Sequence, residues 1–169
     1  MNWDALGAIG ELVGAAAVVA TLAYLAVQIR QTNKFSRATA VQIVSQQNLQ
    51  FLGMLATNPD LRELWIKGAE DYDKLDAHTK QGFYFVAQML LRLFEEQHQL
   101  RTQGVLPDEM WEASKITCVR LLSRPGPRQH WEENKFIYNA RYRQHVDELL
   151  ANSDYDYLTD PALANMQEQ

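Results

Sequence analysis

Residues 6–30 read LGAIGELVGAAAVVATLAYLAVQIR, and this stretch decides which class of protein the chain belongs to. Between Glu11 and Arg30 lie 18 residues without a formal charge, and extending the run back to Leu6 adds a single carboxylate. At about 1.5 Å of rise per helical residue, such a run crosses the roughly 30 Å of hydrocarbon in a bilayer. We therefore predict a transmembrane helix within residues 1–30, with its span at about residues 6–29.

A cleaved signal peptide and a buried core helix are the two alternatives to a span. A signal peptide carries positive charge ahead of its apolar run, whereas the first five residues offer only the acidic Asp4. A core helix is usually shorter or visibly amphipathic. Both comparisons favour the span.

The charges that flank the apolar run predict its orientation. Arg30, Lys34 and Arg37 follow the run, and no lysine or arginine precedes it. Short segments rich in Lys and Arg stay on the cytoplasmic side of a membrane. We expect a single-pass protein of the cell (inner) membrane, with the lipid bilayer as its first partner. Its N-terminus would lie outside, with Trp3 at the outer interface, and its C-terminal domain would be cytoplasmic.

One face of the predicted span consists of small and polar residues, which we call the small-residue seam. Its members recur at alternating spacings of three and four: Gly7, Gly10, Gly14, Ala17, Thr21, Tyr24 and Gln28. Small side chains let two helix backbones approach closely in lipid. We expect the seam to join copies of the chain into a homo-oligomer, with an alanine-rich monomeric anchor as the alternative.

Glu11 directly follows Gly10 and therefore flanks the expected helix contact. A carboxylate within hydrocarbon is costly unless it is protonated, paired or able to reach the interface. We expect Glu11 to be partly buried between neighbouring helices and to tune their assembly. The alternative is that the membrane begins at Leu12 and Glu11 is an interfacial charge.

The remainder of the chain predicts a helical bundle over residues 31–151. Helical spacing of apolar residues predicts one long helix that leaves the membrane and stops at Asn58 and Pro59. A short helix, capped by Asn58 or Asp60, would then end at Gly68. No alternation typical of strands occurs between turn residues.

Three further helices are predicted in the bundle. One covers residues 77–103, with Asp76 as its N-cap and Gly104 after its end. The next covers about 105–123, with Pro107 near its first position, and RPGPR at 124–128 breaks the chain before a last helix over about 129–151. The fold class is therefore all-α: an N-terminal transmembrane helix that continues into a cytoplasmic helical bundle. Residues 152–169 predict an acidic, disordered tail.

Several short segments follow the apolar start in a familiar order. They are NPDLRELW at 58–65, FEEQ at 94–97, GVLPDEMW at 104–111 and PGPRQHW at 125–131. In this order the chain resembles a set of uncharacterised bacterial proteins with one N-terminal transmembrane helix and a small cytoplasmic helical domain. The resemblance extends to about Leu150, and it implies that architecture and no assigned activity.

Charge and motif content narrow the classes of function. After residue 37 the chain holds 19 acidic and 13 basic residues, whereas a nucleic-acid surface needs clustered basic residues. Cys118 is the single cysteine, so no intrachain disulfide can form, and we expect a packed thiol. No phosphate-binding loop, nucleophile elbow or zinc spacing occurs. We therefore expect no nucleic-acid partner, no catalytic residue and no cofactor.

Glu95 and His98 have the Glu-x-x-His spacing that helical di-iron proteins use twice. The second pair is missing here, because His145 and Glu148 have the reverse order. We expect no metal at Glu95 and His98. We expect instead that Glu95 forms hydrogen bonds inside the bundle, to Tyr84, to Arg92 or to a tyrosine of the last helix.

Arg124 and Arg128 flank a Pro-Gly-Pro turn at the start of a helix. Arginines beside free backbone N–H groups predict contact with an anion or a lipid headgroup, with a solvated turn as the alternative. The tryptophans of the soluble part are expected to anchor its core rather than to form a binding cage: Trp65, Trp111 and Trp131.

The leading hypothesis is a non-enzymatic membrane protein that self-associates through its span. Its bundle would act as a scaffold or signalling module and bind an unknown protein partner. Two alternatives stay open. One is a membrane-tethered metal protein or enzyme that uses Glu95 and His98, and the other is a small pore or sensor lined by Glu11.

Overall fold

The computed structural model describes residues 3–153, and all regular structure in that part of the chain is helical. Its six α-helices are α1 Trp3–Thr57, α2 Pro59–Glu70, α3 Ala77–Thr102, α4 Asp108–Leu122, α5 Pro125–Asn134 and α6 Ala140–Ala151. Short 3₁₀ turns lie at Tyr72–Lys74 and Lys135–Ile137. The predicted all-α class is confirmed for residues 3–153. The predicted disordered tail lies outside the described residues from residue 154 onward.

The chain divides into two compact units, the first ending at Thr39 and the second beginning at Ala40. The first unit is the N-terminal part of α1, where every residue from 10 to 38 is exposed. The second unit is a helical bundle. Ala40 and Val44 are the first residues of α1 that are buried among those the structure describes.

Local capping signals set two of the helix starts. The side chain of Asn58 accepts a hydrogen bond from the N–H of Leu61 at 3.0 Å, and Pro59 follows as the first residue of α2. One carboxylate oxygen of Asp76 accepts hydrogen bonds from the first N–H groups of α3, at 2.9 and 3.0 Å. The N-caps predicted at Asn58 and Asp76 are confirmed.

Two predicted helix boundaries are wrong. Helix α2 passes through Gly68 and ends at Glu70. Gly68 serves packing instead, since a Cβ at this position would lie 2.1 Å from a ring carbon of Phe83. The chain does break between α4 and α5, but at Ser123 and Arg124 rather than across residues 124–128, because Pro125 to Pro127 form the first turn of α5.

The predicted last helix over residues 129–151 is in fact two helices. Helix α5 ends at Asn134, and a 3₁₀ turn and the extended residue Tyr138 separate it from α6. Asn139 begins α6 by accepting a hydrogen bond from the N–H of Arg141 at 2.9 Å. Pro107 likewise takes the N-cap position of α4 rather than the first helical position.

Aromatic side chains fill the core of the bundle. Helix α3 is central, since it packs against α2, α4, α5 and α6. Trp65 stacks on Phe83 with ring centroids 5.4 Å apart, and the fully buried Trp131 lies 5.4 Å from Tyr138. Trp111 is buried as well, so all three tryptophans predicted as core anchors are core residues.

Candidate functional site

The first unit contains a helical segment long and apolar enough to cross a membrane. None of its most apolar part is buried within the described chain, which is unlike the core helix of a soluble domain. Length and composition alone make it a candidate membrane span near the N-terminus, and a signal sequence shares both properties.

The glycines of the small-residue seam leave open space on the surface of this helix. A Cβ added at Gly7, Gly10 or Gly14 would meet no described atom within 4 Å. The polar groups of the seam bond locally: the hydroxyl of Thr21 donates to the carbonyl of Ala17 at 2.8 Å. The amide of Gln28 donates to the hydroxyl of Tyr24 at 2.7 Å. These local hydrogen bonds satisfy part of the polar groups of the seam, which lowers the cost of placing them in lipid or against a second helix.

Glu11 is exposed within the single chain. Its predicted burial against a neighbouring helix therefore stays a prediction, because burial there requires a second copy.

A cleft of about 510 Å³ opens in the bundle between the C-terminal part of α1 and helices α2, α3 and α4. Its apolar wall comes from these four segments and includes Val44, Phe51, Leu55, Trp65, Leu90, Phe94, Met110 and Leu121. This size and lining fall in the range of small-molecule sites. The cleft was not predicted from the sequence, because its wall combines residues that are far apart along the chain.

A buried amide lies in the wall of the cleft. Gln97 is 1% exposed, and its side-chain oxygen accepts a hydrogen bond from the hydroxyl of Ser114. Its amide nitrogen faces the side chain of Asn48 at 3.5 Å, which is long for a hydrogen bond. In the sequence, the feature that could have indicated this buried amide is the position of Gln97 on the apolar face of α3. The cleft can thus offer a polar group to a ligand that is otherwise apolar.

The structure gives Glu95 a structural role. Its carboxylate accepts a hydrogen bond from Arg92 at 2.6 Å and another from the backbone N–H of Asn139 at 2.6 Å. The predicted contact with Arg92 is therefore confirmed. The second bond holds the start of α6 against α3, which the sequence did not indicate.

His98 pairs with His145 rather than with Glu95. The two imidazole rings are stacked with centroids 4.9 Å apart, and Trp111 lies 5.5 Å from His98 and 5.3 Å from His145. Among residues 3–153, no group of three or more His, Cys, Asp or Glu side chains could hold a metal ion.

Burial favours the neutral form of both histidines. It lowers the pKa of His98, with a further lowering from His145 and a partial offset from Glu95. Burial also lowers the pKa of His145, helped by the charge of Lys115 and opposed by Glu148. The pair therefore acts as aromatic packing between α3 and α6 near neutral pH.

The two arginines predicted to hold an anion have acidic partners in the described part of the chain. Arg124 donates to Glu70 through Nε at 2.9 Å and Nη2 at 2.5 Å, so it joins α2 to the start of α5. Nε of Arg128 lies 3.2 Å from a carboxylate oxygen of Glu132, and both residues belong to α5. Contact of either arginine with an anion or headgroup stays a prediction.

Cys118 is buried among the helices of the bundle. Burial raises the pKa of its thiol to about 12. The thiol is therefore protonated at neutral pH and poorly nucleophilic, which confirms the expectation of a packed cysteine.

Comparison of the chain with protein-family models, with curated proteins and with solved structures gives no match. The resemblance to bacterial single-span proteins therefore stays a prediction. Evidence for function must come from the chain's own residues.

Proposed function

We propose that the chain is a single-pass protein of the cell membrane that self-associates through the small-residue seam. Its cytoplasmic bundle would serve as a scaffold for a protein partner. The observation that carries this proposal is the exposure of the apolar part of α1. Leu12 is 73% exposed, Val19 is 66% exposed and Leu22 is 61% exposed. A continuous apolar surface of this extent is stable in lipid or against another helix, and unfavourable in water.

The orientation proposed for the span rests on Arg30, Lys34 and Arg37, which follow the apolar run. All three are exposed on α1, so their charges remain available to the cytoplasmic leaflet.

A pair of reporter fusions tests the topology. A reporter that is active only in the cytoplasm should be active after Gln169, and one that is active only outside the membrane should be silent there. The matched control replaces Arg30, Lys34 and Arg37 by glutamine, which should reduce the cytoplasmic signal because the positive-inside bias is gone. An active external reporter on the unchanged chain would exclude the proposed orientation. Loss of residues 1–30 from the mature chain, measured by mass spectrometry, would identify a signal sequence.

Self-association through the seam is supported by its open surface. Because Gly7, Gly10 and Gly14 have free space around them, a second helix backbone can approach closely at all three positions. In lipid, such close approach supplies the van der Waals contact that drives association.

Adding bulk at the seam should weaken association. Replacing Gly10 and Gly14 by leucine separates the two backbones, and we expect the dissociation constant in detergent micelles to rise by about tenfold or more. Ala23→Leu with Ala26→Leu is the matched control, since it adds similar bulk away from the seam. Sedimentation equilibrium measures both variants. Equal weakening by the two pairs would contradict a specific seam.

A further inference from the structure

We infer that a second face of α1 pairs with the same face of a second copy of this chain, as a parallel two-stranded coiled coil outside the membrane. This face lies in the bundle unit and consists of Gln42, Ser45, Leu49, Leu52 and Ala56, which we call the bundle seam. The inference rests on the proposed self-association of a single-pass protein, and it extends the contact between copies from the span to residues 42–56 of α1.

The bundle seam keeps the spacing of the small-residue seam along the sequence. The alternating count of three and four that runs from Gly7 to Gln28 continues through residues 31, 35, 38, 42, 45, 49, 52 and 56. All eight of these residues are exposed. Leu49 is 69% exposed and Leu52 is 59% exposed, although both are large and apolar. A repeat of three and four with apolar members is the pattern that joins coiled-coil helices.

The bundle buries residues on another side of the same helix, and the two sides meet at Leu52, which also borders the cleft. The residues of α1 that are buried in the bundle unit are Ala40, Val44 and Phe51. With the seam at heptad positions a and d, Ala40 falls at position f, and Val44 and Phe51 fall at position c, which lie on the side of the helix away from a and d. Packing among residues 40–153 therefore buries none of the five bundle-seam residues, although Leu52 borders the cleft.

A second copy is the partner that fits this face. Two single-pass chains inserted in one orientation are parallel and at the same depth, so identical residues of α1 meet across a two-fold axis. No charged residue occurs between Arg37 and Asp60, and identical faces can therefore meet without repulsion between like charges. Gln42 would meet its own copy, and a polar pair at such a position fixes the register of a coiled coil.

Cysteine cross-linking of the full chain in membranes tests the inference, in a Cys118→Ala background with a short bis-maleimide. Ser45→Cys lies on the bundle seam, and Gln50→Cys is a matched control on an exposed position away from it. We expect cross-linked dimer from Ser45→Cys in at least about tenfold excess over Gln50→Cys. Gln42→Cys provides a second seam probe with the same expected result.

A second pair of variants separates this inference from the proposed function. Ala17→Cys lies on the small-residue seam, and Val19→Cys lies on the opposite face of the same helix; both are cross-linked as disulfides by a membrane-permeant oxidant, copper phenanthroline, because a thiol in lipid reacts poorly with a maleimide. Strong cross-linking at Ala17→Cys, with Ser45→Cys and Gln42→Cys no better than Gln50→Cys, would overturn the bundle seam and leave the proposed self-association intact. Cross-linking at neither seam would overturn both.

Discussion

A chain carrying Gly126→Ala should unfold with a free energy about 3 kcal/mol lower than that of the unchanged bundle. A Cβ at residue 126 would lie 1.9 Å from the carbonyl oxygen of Gly68 and 3.1 Å from the Cα of Ala69. These are backbone atoms of α2, so no side-chain rotation can relieve the overlap. Helix α5 would have to move away from α2, which would also loosen the packing of the fully buried Trp131.

Urea denaturation in detergent, followed by tryptophan fluorescence, measures this loss. Gly53→Ala is the matched control, because a Cβ there meets no described atom within 4 Å. Gly53 lies inside α1, and alanine is the better helix former by about 1 kcal/mol, so the control should be neutral or more stable. Similar unfolding midpoints for the two variants would show that α5 does not approach α2 closely.

The same segment explains one failure of sequence-based prediction. Pro125, Gly126 and Pro127 predicted a break in the chain, since proline and glycine together are typical of turns. Proline is equally suited to the first turn of a helix, where no N–H partner is needed. Gly126 is required by close contact with α2, which residues 124–128 alone do not indicate.

The division between α5 and α6 has a similar cause. Apolar residues from Trp131 to Leu149 keep a helical spacing, and residues 134–139 contain neither glycine nor proline. What separates the helices is tertiary contact: Glu95 of α3 binds the N–H of Asn139, and Arg92 donates to the carbonyl of Ile137 at 3.0 Å. The local spacing of apolar residues predicted that this part of the chain is helical. Contacts with distant residues of α3 determine where α5 ends and α6 begins.

The candidate sites also differ in whether they could be predicted from local sequence. The apolar run and the small-residue seam depend on neighbours within one helix, so they could be identified by counting residues. The cleft around Gln97 and the His98–His145 pair each need side chains from separate helices. The Glu-x-x-His pattern therefore identified two notable residues, but the contact of His98 with His145 could not be predicted from it.

Acid should destabilise the bundle between pH 6.5 and pH 4, mainly because His130 must stay neutral when folded. His130 is 1% exposed, its ring lies 5.0 Å from that of Tyr84, and its Nε2 has no hydrogen-bond partner among the described residues. Burial lowers the pKa of His130 to about 4, with a small opposing effect from Glu133. An unfolded histidine has a pKa of about 6.5.

The direction of the pH effect follows from these two pKa values. Above pH 6.5 His130 is neutral in both states, so its contribution to stability is complete. Between pH 6.5 and pH 4 His130 binds a proton in the unfolded state but not in the folded state. The free energy of unfolding therefore falls, by on the order of 3 kcal/mol at the acidic end of this range. His98 and His145 add to it, because burial lowers the pKa of each in the folded state.

Urea denaturation at a series of pH values, followed by circular dichroism, measures the slope of stability against pH. His130→Phe keeps an aromatic ring beside Tyr84 and removes the titrating group, so the slope between pH 6.5 and pH 4 should become clearly smaller even if the absolute stability changes. His78→Gln replaces an exposed histidine and is the matched control, for which the slope should be retained. An unchanged slope in His130→Phe would mean that the ring can be protonated without unfolding, and that its surroundings admit water.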